Sequence, residues 1–401
     1  MTSAATPHSV AVAWVEHLRA GGTTSWADWV RDTTDAVRPV AASDRPGRLP
    51  GAGQLELVRR LGLEYAESPG RLPRGSFTAL ADRALGRSGP GRGLPDLPLA
   101  LPGADLTSSV GAPPTDPGSL PVDELIRHGV GLLADLLVDA GPVPWPSVRR
   151  RRVLARHAFH LAGAPVTTSG VRASLAAAGR VEGGWSPEVV LFAEPLDEHL
   201  AQVWSTRVQH GVPVRWETFA GRWARRDALP PSADLPAIAS FWAAKVGAAR
   251  VHVVVSDGVE AALPWAARVV GTRRPPRPAL GVDPIPLSPA ATDLLRQLNR
   301  VLNVRVVEAA RAGLVRRAID LLPGGDGTAL ALPPRHRDWT ERRAERVARE
   351  LGAGGYPVHG DLARIAPRHA GAAAPRRPDV LTLVLATCLR TAELETTGAG
   401  G

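Results

Sequence analysis

The segment that most constrains the fold lies near the middle of the chain, where residues 160–170 read HLAGAPVTTSG. An apolar run over residues 153–159 precedes it and predicts a strand, and an alanine-rich stretch over residues 171–179 predicts a helix ended by glycine. A strand, a loop of small residues and a helix together direct backbone N–H groups and a helix N-terminus at a phosphate. Such loops normally add a lysine, and Val166 stands at that position. The order of elements predicts an α/β fold, while the missing lysine argues against an intact phosphate site.

The segment resembles the cofactor loop of bacterial sulfotransferase-like proteins, which runs roughly G-x-P-K-T-G-T-T before a helix ending in A-A-A-G. Gly163, Pro165, Thr167 and the AAAG of residues 176–179 match this pattern, whereas Thr168 replaces the second glycine. An ordinary turn between a strand and a helix is the alternative interpretation. The resemblance implies a remnant cofactor-binding site composed of Gly163, Pro165, Thr167, Thr168, Ser169 and Arg172.

Later segments follow the family's order over residues 153–367. They comprise a strand over residues 188–195, a helix with an apolar face over 196–209, a strand over 250–256, a helix containing LLRQLN after Pro289, a helix over 339–351 and the tail GGYPVHGDL over 354–362. No single match is specific, but their shared order strengthens the resemblance.

Two further parts of the family's active site are replaced or missing. In the family the strand matching residues 188–195 ends in an arginine that holds the 3′-phosphate of the cofactor, and Glu194 stands there in this chain. A carboxylate repels a phosphate. The family's acceptor region and catalytic base would lie between the loop helix and this strand, where only residues 180–187 remain. The resemblance therefore implies a degenerate member of the family, and we assign no catalytic residue.

Composition gives weaker information. The net charge of +9 and the isoelectric point of about 11.0 are compatible with a polyanionic partner. Lys245 is the only lysine, however, and an excess of arginine, alanine, glycine and proline is typical of a GC-rich genome such as that of an actinobacterium. Because arginine stays charged at any ordinary pH, it inflates the isoelectric point. Charge alone therefore does not predict nucleic-acid binding.

Other chemistry-bearing residues form no recognised motif. Cys388 is the only cysteine, so no intrachain disulfide forms, and its apolar surroundings predict a buried side chain. A set of His336, His359, Asp361 and His369 fits no metal-ligand spacing, so we predict no metal site. The sequence shows neither a signal peptide nor a membrane-spanning run, which predicts a cytoplasmic protein.

Two segments of the chain echo each other. The interval between Trp14 and Trp26 equals that between Trp204 and Trp216, and each pair frames a glycine-containing turn. Downstream, residues 56–62 echo residues 293–299. We therefore predict that the N-terminal region is a shortened copy of the later unit that lacks the loop. Chance similarity is the alternative.

These patterns divide the chain into five parts. They are a helical unit over residues 1–85, a Pro/Gly-rich linker over 86–120, a helix and connector over 121–148, a degenerate α/β domain over 149–370, and an apolar segment with a flexible tail over 371–401. The expected fold class is α/β, with a parallel sheet flanked by helices like that of P-loop NTPases and sulfotransferases, preceded by a mostly helical unit.

The expected function is that of a degenerate sulfotransferase-like protein without sulfuryl-transfer activity. It would bind a partner such as a sulfotransferase or glycosyltransferase in cell-surface glycan modification, or a ligand in the remnant 3′-phosphoadenosine 5′-phosphosulfate site, and we assign it no cofactor. One alternative is an active sulfotransferase in which Arg172, or an arginine among residues 149–152, holds the phosphate. Another is a DNA-binding regulator with a helix-turn-helix within residues 54–85.

Overall fold

The computed structural model describes residues 6–34, 49–67, 72–87, 97–101, 113–144, 158–273, 284–325, 330–371 and 374–398. The chain forms two compact units. The first comprises residues 1–143, 300–322 and 376–401, and the second comprises residues 144–299 and 323–375. Most of the segments that the sequence set apart as residues 121–148 and 371–401 thus lie within the first unit.

The second unit contains a four-stranded parallel sheet. Its strands are β1 (Phe159–Gly163), β2 (Glu188–Ala193), β3 (Val251–Val255) and β4 (Val358–His359), in the spatial order β1-β2-β3-β4. In register, Phe159 pairs with Glu188 and Val189 pairs with Val251. The valine-rich runs of β2 and β3 are typical of parallel strands that are covered on both faces. The predicted parallel sheet flanked by helices is confirmed.

Helices cover both faces of this sheet. α6 (Pro165–Ala177) and α10 (Val259–Val269) pack on one face, and α9 (Leu235–Val246) packs on the other. The second unit also contains α7 (Leu196–Gln209), α8 (Trp216–Arg225), α13 (Arg337–Ala353) and the first part of α11 (Pro289–Arg305). On one face, Phe159 and Phe192 are buried against side chains of α6 and α10. His160 points to the opposite face, because successive strand residues alternate, and it stacks on Trp242 of α9.

Elements with a strong local pattern lie where the sequence placed them, but the first strand does not. The helix predicted over residues 196–209 is α7. β1 begins at Phe159 and includes residues 160–163, which the sequence analysis placed in a loop. The strand predicted over residues 153–159 lies almost entirely outside the described residues. The true strand was missed because the small residues that close β1 read as loop residues.

The first unit is helical throughout its described elements. They are α1 (Pro7–Arg19), α2 (Trp26–Thr34), α3 (Ala52–Glu67), α4 (Arg74–Leu85), α5 (Val122–Ala140), α12 (Glu308–Leu321), α14 (Arg377–Gly398) and the end of α11. α5 packs closely on α14 at Gly129, where a Cβ atom would lie 2.4 Å from Val384 Cγ1. None of the helices in the described ranges is both long and apolar enough to cross a membrane.

The two echoing segments have the same local structure. Trp14 and Trp204 are both buried, and each indole N–H donates to the backbone carbonyl ten residues further along, that of Thr24 at 3.1 Å and that of Val214 at 2.8 Å. The turn glycines have nearly equal φ angles of 90° at Gly21 and 88° at Gly211. Each segment is thus a helix, a left-handed glycine turn and a second helix.

The similar segments further along the chain, residues 56–62 and 293–299, also share a hydrogen-bond network. In α3, Glu56 accepts hydrogen bonds from Arg59 and Arg60, and in α11, Asp293 accepts them from Arg296 and Gln297. The carboxylate and its partners therefore occupy the same three positions in both copies. A further likeness lies in the LALP sequences of residues 99–102 and 330–333. Trp26 Nε1 donates to Ala100 O, and Trp216 Nε1 donates to Ala331 O, each at 2.9 Å.

Candidate functional site

The candidate site lies at the carboxyl end of β1, where ligands bind in open α/β sheets. Only Ala164 separates β1 from α6, which begins at Pro165. Thr168 closes the first turn, because both its backbone N–H and its hydroxyl group donate to Ala164 O, at 2.9 and 2.8 Å. The prediction of a loop over residues 160–170 is therefore wrong, since residues 160–163 belong to β1 and α6 begins at Pro165. Proline at the first helical position, with its preset φ angle, starts the helix where a phosphate loop would still be open.

A carboxyl group of the protein lies beside the N-terminal turn of α6. Glu194 directly follows β2 and is only 2% exposed. Thr167 Oγ1 donates to one of its carboxyl oxygens, and Gln202 Nε2 donates to the other at 2.5 Å. Gln202 Oε1 in turn accepts from the backbone N–H of Val166 at 3.2 Å. These contacts use a helix-terminal N–H group that a bound phosphate would need.

Burial controls the charge of this carboxyl group. Desolvation raises the pKa of Glu194 to about 7, although the hydrogen bonds from Thr167 and Gln202 favour the ionised form. The charge of Glu198 raises the pKa further, and that of Arg368 lowers it. Glu194 can therefore gain or lose a proton near neutral pH without direct contact with bulk water.

The other sequence-predicted site residues have structural partners. Gly163 has a φ of 114°, and a Cβ atom there would lie 2.2 Å from Phe192 O, so glycine is required for the pairing of β1 with β2. Ser169 is buried within α6. Arg172 Nε donates to Glu182 at 2.6 Å, so its charge is already paired. The alternative arginines at residues 149–152 lie outside the described residues.

Several charged residues at the carboxyl end of the sheet form ion pairs with one another. They were not predicted from the sequence. Asp257, just beyond β3, accepts from the guanidinium groups of Arg364 and Arg368. Arg368 also donates to Glu198 Oε1 at 3.3 Å. Asp197 accepts from the backbone N–H groups of Arg368 and His369, at 3.2 and 2.8 Å. The only available signal was the position of these carboxylates, Asp257 two residues after β3 and Asp197 and Glu198 in the first turn of α7, since their partners come from a distant part of the chain.

A cavity of about 200 Å³ opens beside this network. Its lining side chains come from α6, α7, the start of α11 with the segment before it, and Leu330. They are Val166, Glu198, Ala201, Gln202, Trp204, Ser205, Pro286, Leu287, Pro289, Thr292 and Leu330. Polar groups lie on the α7 and α11 side, while the remaining wall is mostly hydrocarbon. The volume suits a small organic molecule rather than a whole nucleotide cofactor.

The four residues considered as a metal set do not form a cluster. His359 Nε2 lies 3.1 Å from His252 Nδ1, His369 Nε2 lies 3.0 Å from Glu341, and His336 accepts from Arg335 at 3.2 Å. Each histidine thus has a different neighbour. Within the described ranges, no group of three or more His, Cys, Asp or Glu side chains has an arrangement that could hold a metal ion.

Comparison with protein-family models, curated proteins and solved structures finds no match to this chain.

Proposed function

We propose that this chain is a sulfotransferase-like protein that does not transfer sulfuryl groups and instead binds a ligand in the cavity beside α6. The observation that carries the proposal is the internal network in which Gln202 joins the Glu194 carboxyl group to the Val166 N–H. The Gln202 side chain thus satisfies one N–H group at the end of the helix that would otherwise face a phosphate, and it holds the Glu194 carboxyl group beside that end.

Electrostatics support the loss of cofactor binding. Transfer of a sulfuryl group requires cations or N–H donors on the leaving phosphate and on the transferred group. Val166 and Glu194 stand where the resembled family has two cations. A hydrogen bond to a charged group contributes about 1.5–3 kcal/mol, so the loss of two weakens binding by about two to four orders of magnitude. The Val166 N–H is in addition already bonded to Gln202.

A partner protein is a compatible part of the proposal. A protein that keeps a sulfotransferase-like sheet but lacks transfer chemistry would act beside an active enzyme, such as a sulfotransferase or glycosyltransferase. The ligand bound in the cavity would then be a substrate or product of that enzyme.

Isothermal titration with 3′-phosphoadenosine 5′-phosphate tests the central claim. The unaltered protein should show no binding at micromolar concentrations. Val166 is partly exposed at the cavity wall, so Val166→Lys in a Glu194→Gln background adds a cation and removes a carboxylate without burying a new charge. This double variant should bind at least tenfold more tightly than the unaltered protein.

Ala176→Lys in the same Glu194→Gln background is the matched control, because it adds the same charge to an exposed position in the last turn of α6. It should not bind. Micromolar binding of the bisphosphate by the unaltered protein, or measurable sulfuryl transfer, would contradict the proposed function.

A further inference from the structure

The repeated segment, here called the tryptophan module, occurs once with Trp14 and Trp26 and once with Trp204 and Trp216. Its two copies provide an internal comparison for the cavity. Positions that both copies share are structural: the tryptophan pair, the turn glycine, and the carboxylate with its two helix partners. Trp204 and Leu330 of the cavity have identical counterparts in Trp14 and Leu99. These residues therefore belong to the common scaffold and do not distinguish the two copies.

The polar lining residues are the ones that differ. Gln202, Ser205 and Thr292 of the second copy correspond to Val12, Val15 and Leu55 of the first, where every one is a hydrocarbon. Glu198 corresponds to His8. Since the module folds with hydrocarbon at three of these positions, its architecture does not require polar groups there. Their presence around a cavity indicates a ligand site.

The hydrogen-bond inventory of the cavity indicates the chemistry of that ligand. Nearly every donor is already used: the Val166 N–H bonds to Gln202, the Thr292 hydroxyl to Ser288 O at 3.0 Å, and the Trp204 indole N–H to Val214 O. The Ser205 and Thr292 hydroxyl oxygens lie 3.3 Å apart, and because Thr292 donates to Ser288, Ser205 must donate to Thr292. One amide hydrogen of Gln202 is the remaining donor among these groups.

Acceptors remain available on the same wall. Arg368 donates to Glu198 Oε1, while Glu198 Oε2 accepts no hydrogen bond from any described residue. The Ser205 oxygen keeps a free lone pair, since its only other contact is a long one of 3.5 Å from Gln209. A phosphate or sulfate, which offers only acceptors, finds almost no donor here. An ammonium group, which offers three donors and a positive charge, matches the acceptors.

We propose that the cavity binds a small primary amine, with its ammonium group on Glu198 and its apolar body against Val166, Leu287 and Leu330. This inference rests on the proposed function, because it names the ligand class of the same cavity. The cavity volume of about 200 Å³ limits the apolar body to roughly the size of one aromatic ring.

We expect amine binding in the cavity to be linked to the protonation of Glu194. The charged groups acting on it are Glu198 of α7 and Arg368 of the C-terminal segment, which also pairs with Asp257. An ammonium ion bound at Glu198 adds a positive charge beside Gln202, which favours ionisation of Glu194. Amine binding near pH 7 should therefore release protons, and affinity should rise with pH across that range.

Isothermal titration of the full chain with benzylamine, benzyl alcohol and benzoate tests the inference. Benzylamine should bind with a dissociation constant at or below about 1 mM, and the alcohol and the carboxylate at least tenfold more weakly. Repeating the benzylamine titration in buffers of different ionisation enthalpy measures the released protons. This release should disappear in Glu194→Gln.

Variants separate the site from a general effect of charge. Glu198→Gln should weaken benzylamine binding at least tenfold, whereas the matched control Glu217→Gln, which changes an exposed carboxylate of α8, should leave it unchanged. Ser205→Val with Thr292→Leu places the residues of the first copy in the cavity and should abolish binding. Circular dichroism confirms that each variant is folded.

The inference is overturned if benzoate binds as tightly as benzylamine, if the folded protein does not bind benzylamine, or if Glu198→Gln binds it unchanged. These results differ from those that overturn the proposed function, which are micromolar bisphosphate binding or sulfuryl transfer. A protein that binds neither benzylamine nor the bisphosphate contradicts the amine inference alone.

Discussion

The hydroxyl group of Thr167 donates to the carboxyl group of Glu194, which joins the first turn of α6 to the end of β2. The two residues are 27 positions apart in the chain and both are buried. The helix-terminal N–H group of Val166 donates to Gln202 Oε1 at 3.2 Å, and Gln202 Nε2 donates in turn to the Glu194 carboxyl group. The contact thus holds a buried carboxyl group beside the N-terminal turn of α6.

This burial makes the stability of the protein depend on pH. The pKa of Glu194 is raised from 4.5 to about 7, so between these values the folded protein binds more protons than the unfolded chain. The contribution of Glu194 to the free energy of unfolding should therefore be present in full below about pH 4.5 and decrease as the pH rises towards 7. Since a tenfold change in an equilibrium is about 1.4 kcal/mol, the loss is on the order of 3 kcal/mol.

Urea unfolding of the unaltered protein and Glu194→Gln at pH 5 to 8 measures this contribution. Glutamine does not ionise, so the variant should lose less stability over the range and gain relative to the unaltered protein at pH 8. Glu217→Gln, at an exposed position, should follow the unaltered protein. If the free energy of unfolding changed equally with pH in all three proteins, ionisation of Glu194 would not destabilise the folded state, which would contradict this prediction.

The equivalent tryptophans should contribute similarly to their two units. Trp14→Phe and Trp204→Phe each remove one indole N–H and leave a backbone carbonyl, of Thr24 or of Val214, without its donor. Each change should cost about 2–4 kcal/mol, from the lost hydrogen bond and the lost ring volume. Urea unfolding monitored by circular dichroism measures both. A cost below about 0.5 kcal/mol for either one would show that its copy of the module is not a packing unit.

The turn glycines should be equally intolerant of a side chain. Gly21 and Gly211 have φ angles of 90° and 88°, and a Cβ atom at either would meet nothing closer than 3.8 Å. Alanine therefore introduces backbone strain without a steric clash, and each substitution should destabilise the protein by about 1–3 kcal/mol. Thermal unfolding measures the change.

Gly75→Ala is the control for these substitutions. Gly75 lies in α4, and no neighbouring atom comes within 4 Å of the point where the methyl group of an alanine would lie. Alanine should therefore be neutral there or stabilise the protein by up to about 1 kcal/mol. If Gly75→Ala destabilised the protein as much as the two turn substitutions, conformational strain would not be the cause.

The single thiol should be unreactive in the folded protein. Cys388 is 1% exposed in α14, and burial raises its pKa to about 12. Because the thiolate is the reactive species, 5,5′-dithiobis(2-nitrobenzoate) should modify Cys388 only as fast as the protein unfolds. The rate in 6 M urea provides the reference. Rapid modification without denaturant would contradict the packing of α14 on α5.

Elements whose residues carry their own periodic or conformational signal could be predicted from the sequence. The apolar run of β2 and the apolar face of α7 predict a strand and a helix at the observed positions, because burial on both strand faces or on one helix face constrains each residue locally. The tryptophan spacing and the glycine turns likewise predict the helix, turn and helix of both copies, since only glycine adopts a φ near 90° without strain.

The candidate site could not be predicted from the sequence, because packing between distant segments assembles it. Residues 163–169 carry the small side chains of a phosphate loop, yet Pro165 and Thr168 start a helix there, a choice that the sequence left open. Glu194 meets Thr167 across 27 residues, and Arg368 meets Asp257 across 111. Partners at such separations are set by how the elements pack, and the pKa of Glu194 follows from the water that this packing excludes.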